Sequence, residues 1–433
     1  ISSQAFVDKY GGNAAVAKLL PASAELGLDF QPTHPKAEEA LAWMGFEARS
    51  AILELLDQAI ADKKAQVRAV LYDLNEPGVV TRLEQLGPRL KVIIDDDGKH
   101  GEPNSGESRA AARLRISAGD ANVMRQHLGK LQHNKTVVVD GPKVKAALCG
   151  STNHSWRGFF VQSNNALILR GRKPVKLFKQ AFDDYFESKN SAAKFGKTTS
   201  AVWQKLGVGG VDAEIGFSPR SKKNAVLKSI ADDIAQGTTS SLFFSLAFLY
   251  QTPGAIQNAV KKIRDDQQVF SYGISDHLVS GLEEAEASGI DLQKPSGTFT
   301  QVAPAALSGN VPEPFKSEPI GGGGTRMHHK FIVIDFNKPG ARVYTGSYNF
   351  SVAADTSNGE NLLRIRDRRI AVSYMIEALR IFDHYHFRLA QQEAHDAGRP
   401  LQLQLPPRNP GEQAWWEEYY SDPRKIQDRK LFA

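Results

Sequence analysis

The chain contains one motif twice, and this duplication limits its possible folds more than any other feature. Each copy reads His-x-Lys-x4-Asp, the first from His133 and the second from His328. A Gly-Ser-x-Asn sequence follows each copy, 17 residues after His133 and 18 residues after His328. The register continues to Asn164 and Glu360, which stand 31 and 32 residues beyond the histidines. Chance matches do not stay in register over such a length, so the chain holds an internal repeat.

The same order of predicted elements surrounds both motifs. Before each motif, hydrophobic periodicity predicts helix, strand, helix and strand in turn, at about 48–61, 67–74, 79–86 and 90–94 in the first copy and at about 225–235, 240–247, 255–264 and 268–271 in the second. After each motif come a strand (166–170; 362–366) and an amphipathic helix. Alternating strands and helices are typical of an α/β sandwich around a sheet.

We therefore predict an α/β fold of two similar sandwich lobes, with the active site at their pseudo-twofold interface. The expected division is an N-terminal extension at 1–40, a first lobe at 41–190, a linker at 191–214, a second lobe at 215–390 and a C-terminal tail at 391–433. The tail contains four aromatic residues that we expect to pack it onto the body, namely Trp415, Trp416, Tyr419 and Tyr420.

Composition excludes several classes of protein. With 41% hydrophobic and 24% charged residues, the 433-residue chain is a folded protein rather than a disordered one. Its single cysteine, Cys149, excludes an intramolecular disulfide framework and a four-thiolate zinc site. No apolar run approaches the roughly 20 residues that span a bilayer, so we expect a soluble monomer, whether secreted, periplasmic or cytoplasmic. The net charge of +6 suits an anionic partner, either lipid head groups or nucleic acid.

The repeated residues predict a site for a phosphodiester. Alternate residues of a strand share a face, so each motif's histidine and lysine point the same way. The motif aspartates, Asp140 and Asp335, lie an odd number of residues on and are expected to be structural. Together the two copies supply two imidazoles, two ammonium groups and two amides, from His133, His328, Lys135, Lys330, Asn153 and Asn349, with Ser151 and Ser347 at the rim. One imidazole can attack phosphorus while the other protonates the leaving oxygen, and the lysines supply the neutralising charge without a metal or other cofactor.

The two copies differ where an acceptor for a histidine is expected. Glu360 in the second copy corresponds to Asn164 in the first, and we expect Asn164, like Ser151 and Ser347, to bind substrate. We expect Glu360 to accept a hydrogen bond from His328 and to hold it as an imidazolium, since a nearby carboxylate favours the charged form. This interpretation makes His133 the neutral nucleophile and His328 the general acid.

The duplicated motif resembles that of the phospholipase D superfamily in its single-chain form. The resemblance covers about residues 40–390. It implies a two-lobed α/β fold, a phosphohistidine intermediate, independence of metal ions and hydrolysis or transfer of phosphodiesters. It also implies functional roles for His133, Lys135, Asn153, His328, Lys330, Asn349 and Glu360. Asn164 departs from the acidic residue that this family often has at that position.

The sequence leaves the substrate open among three alternatives. The first is a phospholipid, cleaved or given a new head group at a membrane surface that the 298–319 segment could touch. The second is nucleic acid, bound along a cationic series before the first motif that comprises Arg109, Arg113, Arg115, Arg125 and Lys130. The third is a non-catalytic module that binds anions or lipids on the same fold.

Overall fold

The computed structural model describes residues 6, 9–266, 268–275, 279, 291–293, 299–301, 327–396, 398 and 406–433. The chain forms two compact units. The first comprises Ile1–Leu227, Asn310–Lys330 and Tyr344–Ile365, and the second comprises Lys228–Gly309, Phe331–Val343 and Arg366–Ala433. The histidine and lysine of both motifs therefore belong to the first unit. The lobe limits expected from the repeat stay a prediction.

The secondary structure is mixed, as the sequence predicts. The strands are β1 (Gln66–Leu71), β2 (Leu90–Ile94), β3 (Val123–Arg125), β4 (Lys135–Asp140), β5 (Lys145–Gly150), β6 (Ala166–Arg170), β7 (Gln204–Lys205), β8 (Asp212–Ser218), β9 (Ser241–Leu246), β10 (Phe270–Ile274), β11 (Asp291–Gln293), β12 (Phe299–Gln301), β13 (Lys330–Ile334), β14 (Arg342–Gly346) and β15 (Glu360–Arg366). The helices are α1 (Asn13–Val16), α2 (Ala37–Ala61), α3 (Pro77–Leu86), α4 (Gly106–Ala118), α5 (Trp156–Phe160), α6 (Arg172–Ser188), α7 (Ala192–Phe195), α8 (Leu227–Gly237), α9 (Ala255–Asp265), α10 (Val352–Thr356), α11 (Arg368–Asp396), α12 (Glu418–Ser421) and α13 (Pro423–Leu431).

The first unit contains a six-stranded sheet that places the first motif. Its strand order is β3-β2-β1-β4-β5-β6, with β1 parallel to β2 and antiparallel to β4. The register pairs Leu71, the last residue of β1, with Lys135, the first residue of β4. The residues that directly follow β1 therefore lie beside the first motif.

Helix α6 covers this sheet through the face that the sequence predicts. Val175, Phe178, Phe182 and Tyr185 recur at three- and four-residue steps, and all four are buried. Helix α2 begins at Ala37, earlier than the predicted start at about residue 48, and it contains a break at Phe46, whose φ is 46°. The predicted helix corresponds to the part beyond this break.

The second unit repeats the order of the first sheet. Its strands follow the order β12-β11-β10-β9-β13, with the first residues of β14 next. The segment β10-β9-β13-β14 thus matches β2-β1-β4-β5 of the first sheet, and β9 and β10 are parallel like β1 and β2. The first unit also holds the end of β14, followed in order by β15, β8 and β7. The predicted α/β class, with two sheets of related order, is confirmed.

The expected packing of the C-terminal tail stays a prediction. Trp415, Trp416 and Tyr420 are exposed, and Tyr419 is half-buried. Phe432 contacts the ring of Phe336, with centroids 5.6 Å apart. The 298–319 segment, to which we assigned a membrane contact, lies almost entirely outside the described residues. Among the residues that are described, none of the helices has the length and apolar character needed to cross a bilayer.

Candidate active site

The Gly-Ser-x-Asn sequences form two equivalent turns that only glycine can begin. Gly150 has φ of 139° and Gly346 has φ of 145°, a region that side chains rarely tolerate. A Cβ atom on either glycine would lie 2.5 Å or less from a backbone carbonyl oxygen. The turns fix the next residue in each copy: the Ser151 amide donates to Asn165 O at 3.0 Å, and the Ser347 amide donates to Asn361 O at 3.1 Å.

The first motif's histidine is paired with a carboxylate from the second copy. His133 Nδ1 lies 2.9 Å from Glu360 Oε2, and both side chains are buried. Ser347 Oγ donates to the same oxygen at 2.6 Å, and Asn358 Nδ2 donates to Oε1 at 3.3 Å. Glu360 is thus held firmly while it accepts from His133. The expected pairing of Glu360 with His328 is wrong, because the partners cross between the copies.

The second motif's histidine is paired with the amide of the first copy. His328 Nδ1 lies 2.8 Å from Asn164 Oδ1 and 3.1 Å from Ser151 O. Ser151 Oγ donates to Asn164 Oδ1 at 2.9 Å, as Ser347 donates to Glu360. Both serines are fully buried behind these acceptors, so their expected position at the pocket rim is wrong. Asn164, expected to bind substrate, contacts His328 instead.

The two imidazoles face each other between two lysines. Their ring centroids are 6.3 Å apart, with an angle of 72° between the planes. Lys135 Nζ donates to His133 O at 2.5 Å, and Lys330 Nζ donates to His328 O at 2.7 Å. Because Nδ1 of each neutral ring donates to its acceptor, the basic lone pair lies on Nε2 in both histidines.

The two motif asparagines present polar atoms that the protein leaves without partners. In the part of the chain that the structure describes, Oδ1 of Asn153 and Oδ1 of Asn349 are buried and make no hydrogen bond. Buried polar groups are normally satisfied, so an unpaired amide in a pocket is suited to a ligand. Rotation of the amide exchanges its oxygen and nitrogen, so each side chain can offer donors to an anion.

Burial shifts the pKa values of the ionisable side chains in the site. Burial, together with the charges of Lys135 and Lys330, keeps the pKa values of His133 and His328 well below the usual range. Burial also lowers the pKa of Lys135 to about 7 and raises that of Glu360 to about 7. Two lysines thus share the described site with one carboxylate, and a bound anion would relieve the cost of their burial.

The motif aspartates lie in structural hydrogen-bond networks. Asp140 accepts from Lys145 Nζ at 2.7 Å and from Lys179 Nζ at 3.2 Å. Asp335 is buried and accepts from the backbone of the segment that leads into β9, including the Ser240 amide at 2.8 Å. Neither carboxylate contacts a motif histidine in the hydrogen bonds that the structure describes.

Sequence reasoning missed Tyr72, which directly follows β1. Its ring centroid is 4.4 Å from Lys135 Nζ and 4.6 Å from the ring of His133. Burial raises the pKa of its hydroxyl, so Tyr72 is a neutral aromatic wall at neutral pH. The signal that could have found it is the pairing of β1 with the motif strand, since the residue after β1 must reach the site.

The cationic series before the first motif is engaged within the protein. Arg109 pairs with Asp29, Arg113 pairs with Glu84 at 2.6 Å, and Arg115 pairs with Asp120 at 3.1 Å. Arg125 donates to the backbone carbonyl of Asp95 at 2.8 Å. Four of the five groups in the series thus have intramolecular partners, whereas Lys130 is exposed.

Comparison with known proteins finds similar sequences and one family model. The family model "Cardiolipin synthase, PLD-like domain" matches residues 300–382. Phospholipase D of Rickettsia felis is 29% identical over 164 residues, which are 34% of this chain and 76% of that protein. Phospholipase D of Rickettsia conorii is 29% identical over 130 residues, which are 28% of this chain and 58% of that protein. The mitochondrial cardiolipin hydrolase of Xenopus tropicalis is 44% identical over 59 residues, 14% of this chain and 26% of that protein.

A solved structure supports the fold along most of the chain. The phosphatidylserine synthase of Haemophilus influenzae superimposes with a TM-score of 0.51, covering 80% of this chain and 85% of that one at 12% identity. Identity at this level is informative about the fold alone. With the sequence relatives and the family model, the duplicated motif and the paired imidazoles make this chain similar to members of the phospholipase D superfamily.

Proposed function

We propose that this protein is a phospholipase D-type phosphodiesterase that cleaves phospholipids through a phosphohistidine intermediate, with no metal in the chemical step. The observation that carries the proposal is the pair of buried imidazoles, 6.3 Å apart and each held through Nδ1. Two lysines contact the backbone of these histidines, and two buried motif asparagines are expected to add amide donors for a phosphoryl group.

In the first step, His133 Nε2 attacks phosphorus and a nitrogen–phosphorus bond forms. The bond from phosphorus to the head-group oxygen breaks, and the leaving oxygen takes a proton from Nε2 of His328. Lys135 and Lys330 offset the charge on the phosphoryl oxygens. An incoming phosphodiester anion favours the protonated form of His328, which this step requires.

In the second step, water or another alcohol attacks phosphorus. His328 now accepts the proton of the attacking hydroxyl, and the nitrogen–phosphorus bond to His133 breaks. Water yields hydrolysis, whereas an alcohol yields transfer of the phosphatidyl group. Both outcomes return the two histidines to their starting protonation states.

Glu360 supports His133, rather than His328, as the nucleophile. Phosphorylation of Nε2 makes the ring cationic, and the Glu360 carboxylate 2.9 Å from Nδ1 stabilises that charge. The neutral Asn164 gives His328 no such stabilisation, which suits a group that must release its proton. His133 is therefore the nucleophile, as expected from the sequence, but for a different reason. The sequence analysis placed the Glu360 carboxylate beside the general acid His328, whereas it lies beside the nucleophile His133.

A phospholipid is the preferred substrate because the features that favoured nucleic acid are weaker in the structure. Arg109, Arg113 and Arg115 are ion-paired within the protein and do not offer a free phosphate-binding series. The curated relatives are named phospholipase D and cardiolipin hydrolase, although the matched region of the Rickettsia conorii protein is less than two thirds of its length.

A paired assay tests this proposal. Wild type, His133→Ala and the matched control His127→Ala are each given phosphatidylcholine vesicles with ethanol, or labelled single- and double-stranded DNA, in the presence of EDTA. His127 is a suitable control because it pairs with Asp96 at 2.8 Å and is half-exposed outside the motif pair. We expect choline and phosphatidylethanol from wild type and His127→Ala but not from His133→Ala. Cleavage of DNA with inert lipid would assign nucleic acid as substrate, and inactivity in both arms would indicate a binding module.

A further inference from the structure

A second group of convergent side chains lies beside the histidine pair, within the first unit. Asp73, His100 and Glu107 each offer one ligand atom, and these three atoms lie within 4.8 Å of one another. The residues come from three segments: the residues just after β1, the 3-10 turn Gly98–Gly101 and the first turn of α4. Tyr72 separates the group from the motif, since its ring centroid is 4.5 Å from that of His100.

A hydrogen bond from the surrounding protein holds each of the three side chains in place. Asp95 Oδ2 lies 2.8 Å from His100 Nδ1, and His100 Nε2 is then 4.0 Å from Glu107 Oε1. Asp73 Oδ2 accepts from Ser155 Oγ at 2.8 Å, and Glu107 Oε1 accepts from the Leu74 amide at 3.0 Å. A histidine held through one nitrogen by a carboxylate is the usual outer support of a metal ligand.

The balance of charge around the group also favours a bound cation. Three carboxylates, those of Asp73, Asp95 and Glu107, surround one histidine, and Asp95 and Glu107 are buried. The nearby Arg125 guanidinium donates to the Asp95 and His100 carbonyls and to Ser108 Oγ, so its described hydrogen bonds go to neutral groups rather than to these carboxylates.

We propose that Asp73, His100 and Glu107 bind one divalent transition-metal ion, with Asp95 orienting His100 from the outer shell. One imidazole nitrogen and two carboxylate oxygens suit Zn²⁺ or Mn²⁺ better than Ca²⁺, which takes oxygen ligands. Water would complete the coordination. The ion is separate from the chemistry of His133 and His328, because the proposed reaction uses imidazole and lysine groups alone.

Such an ion would tie three chain segments together next to the catalytic pocket. It would fix the end of β1, and with it the position of Tyr72 against Lys135 and His133. Its role is therefore positional, and it can be tested by binding and stability without any assay of turnover.

The test titrates ZnCl₂ into the chelator-treated full chain by isothermal titration calorimetry. The variants are His100→Ala and Glu107→Gln, with His127→Ala as the matched control. His127 also pairs with a carboxylate, that of Asp96, but it does not belong to the group of three proposed ligands. We expect one saturable equivalent in wild type and in the control. The dissociation constant should rise at least 10–100-fold in both ligand variants, the range seen on loss of outer partners. Circular dichroism and the metal-free melting midpoint check folding, and Glu107→Gln retains the side-chain shape.

A second set of measurements locates the ion. Because the motif histidines could also bind Zn²⁺, His133→Ala is titrated in parallel and should retain the equivalent that His100→Ala loses. Added Zn²⁺ should raise the melting midpoint of wild type but not of His100→Ala. Absence of saturable binding in wild type, or binding lost in His133→Ala and kept in His100→Ala, would overturn the proposal. Neither result depends on the substrate, so the proposed phosphodiesterase activity stands or fails separately.

Discussion

The two half-sites have the same scaffold but differ in the charge that supports each histidine. In one, Glu360 accepts from His133 and Ser347 anchors Glu360. In the other, Asn164 accepts from His328 and Ser151 anchors Asn164. The backbone turns, the serine anchors and the lysine contacts correspond one to one. A single exchange of carboxylate for amide is therefore enough to divide equivalent histidines between two roles.

Each half-site also depends on the other copy of the repeat. His133 comes from the first copy and its carboxylate from the second, while His328 comes from the second and its amide from the first. One copy alone could supply a histidine but not its observed partner. The duplication has allowed the two acceptors to diverge, which two identical copies could not do.

Removing each histidine in turn tests most directly whether the two half-sites have different catalytic roles. We expect His133→Ala to lower kcat/KM by at least about 10⁴-fold and His328→Ala by about 10²–10⁴-fold, because only the first removes the nucleophile. With an aryl phosphodiester, whose leaving group needs no protonation, His328→Ala should accumulate an acid-labile phosphoenzyme. His133→Ala should form none. Accumulation in His133→Ala instead would reverse the two roles.

A smaller effect should separate the two acceptors. Glu360→Gln keeps the shape but removes the charge that stabilises a phosphorylated His133, so we expect kcat to fall by about 10²–10⁴-fold. Asn164→Ala removes the neutral hydrogen bond to His328, together with the bonds that join Asn164 to Ser151 and Gly158. Because no charge on His328 loses its counterion, we expect only about a tenfold loss. Steady-state kinetics on one soluble phosphodiester compare the variants directly. Equal losses in both would mean that the charge difference does not set the roles.

Each limb of the pH profile of activity should report the ionisation of one charged residue, Glu360 on the acid side and Lys135 on the alkaline side. Glu360 acts as a carboxylate, so activity rises with pH through its pKa of about 7. Lys135 acts as an ammonium, so activity falls as pH rises through its pKa, also about 7. We expect a narrow bell in kcat/KM near pH 7. Lys135→Arg should shift the alkaline limb upward while the acid limb stays in place, and a profile unchanged in that variant would assign the limb to another group.

The fold was largely predictable because the repeat shows its elements twice. Strands β2 and β6 have the limits that the sequence predicts, Leu90–Ile94 and Ala166–Arg170. The first turns of α2 were not predicted, although Ala40, Leu41 and Met44 are buried there at helical spacing, and the backbone leaves the helical region at Phe46 before the part that was predicted. Local patterns of apolar residues thus define elements well except where the backbone itself breaks the pattern.

The candidate site was predictable in its residues but not in its partners. The motif spacing identifies the histidines and lysines, whereas the choice of acceptor for His133 depends on how separate strands meet. The same limit applies to Arg113, whose partner Glu84 lies on another helix. A strand pattern shows which face a side chain occupies but does not show which distant side chain it meets there.

The smallest effect on catalysis, and the largest contrast in stability, should come from the motif aspartates. Asp335 is buried and accepts from the Thr239, Ser240 and Ser241 amides, so Asp335→Ala leaves several buried donors unpaired. We expect a loss of about 2–4 kcal/mol in the free energy of unfolding. Asp140 holds two lysines at the partly exposed end of β4, so Asp140→Ala should cost about 1 kcal/mol or less. Urea unfolding measures both, and kcat of the folded fraction should stay near that of wild type. Similar stability in the two variants would show that the aspartates are equivalent, although the histidine acceptors are not.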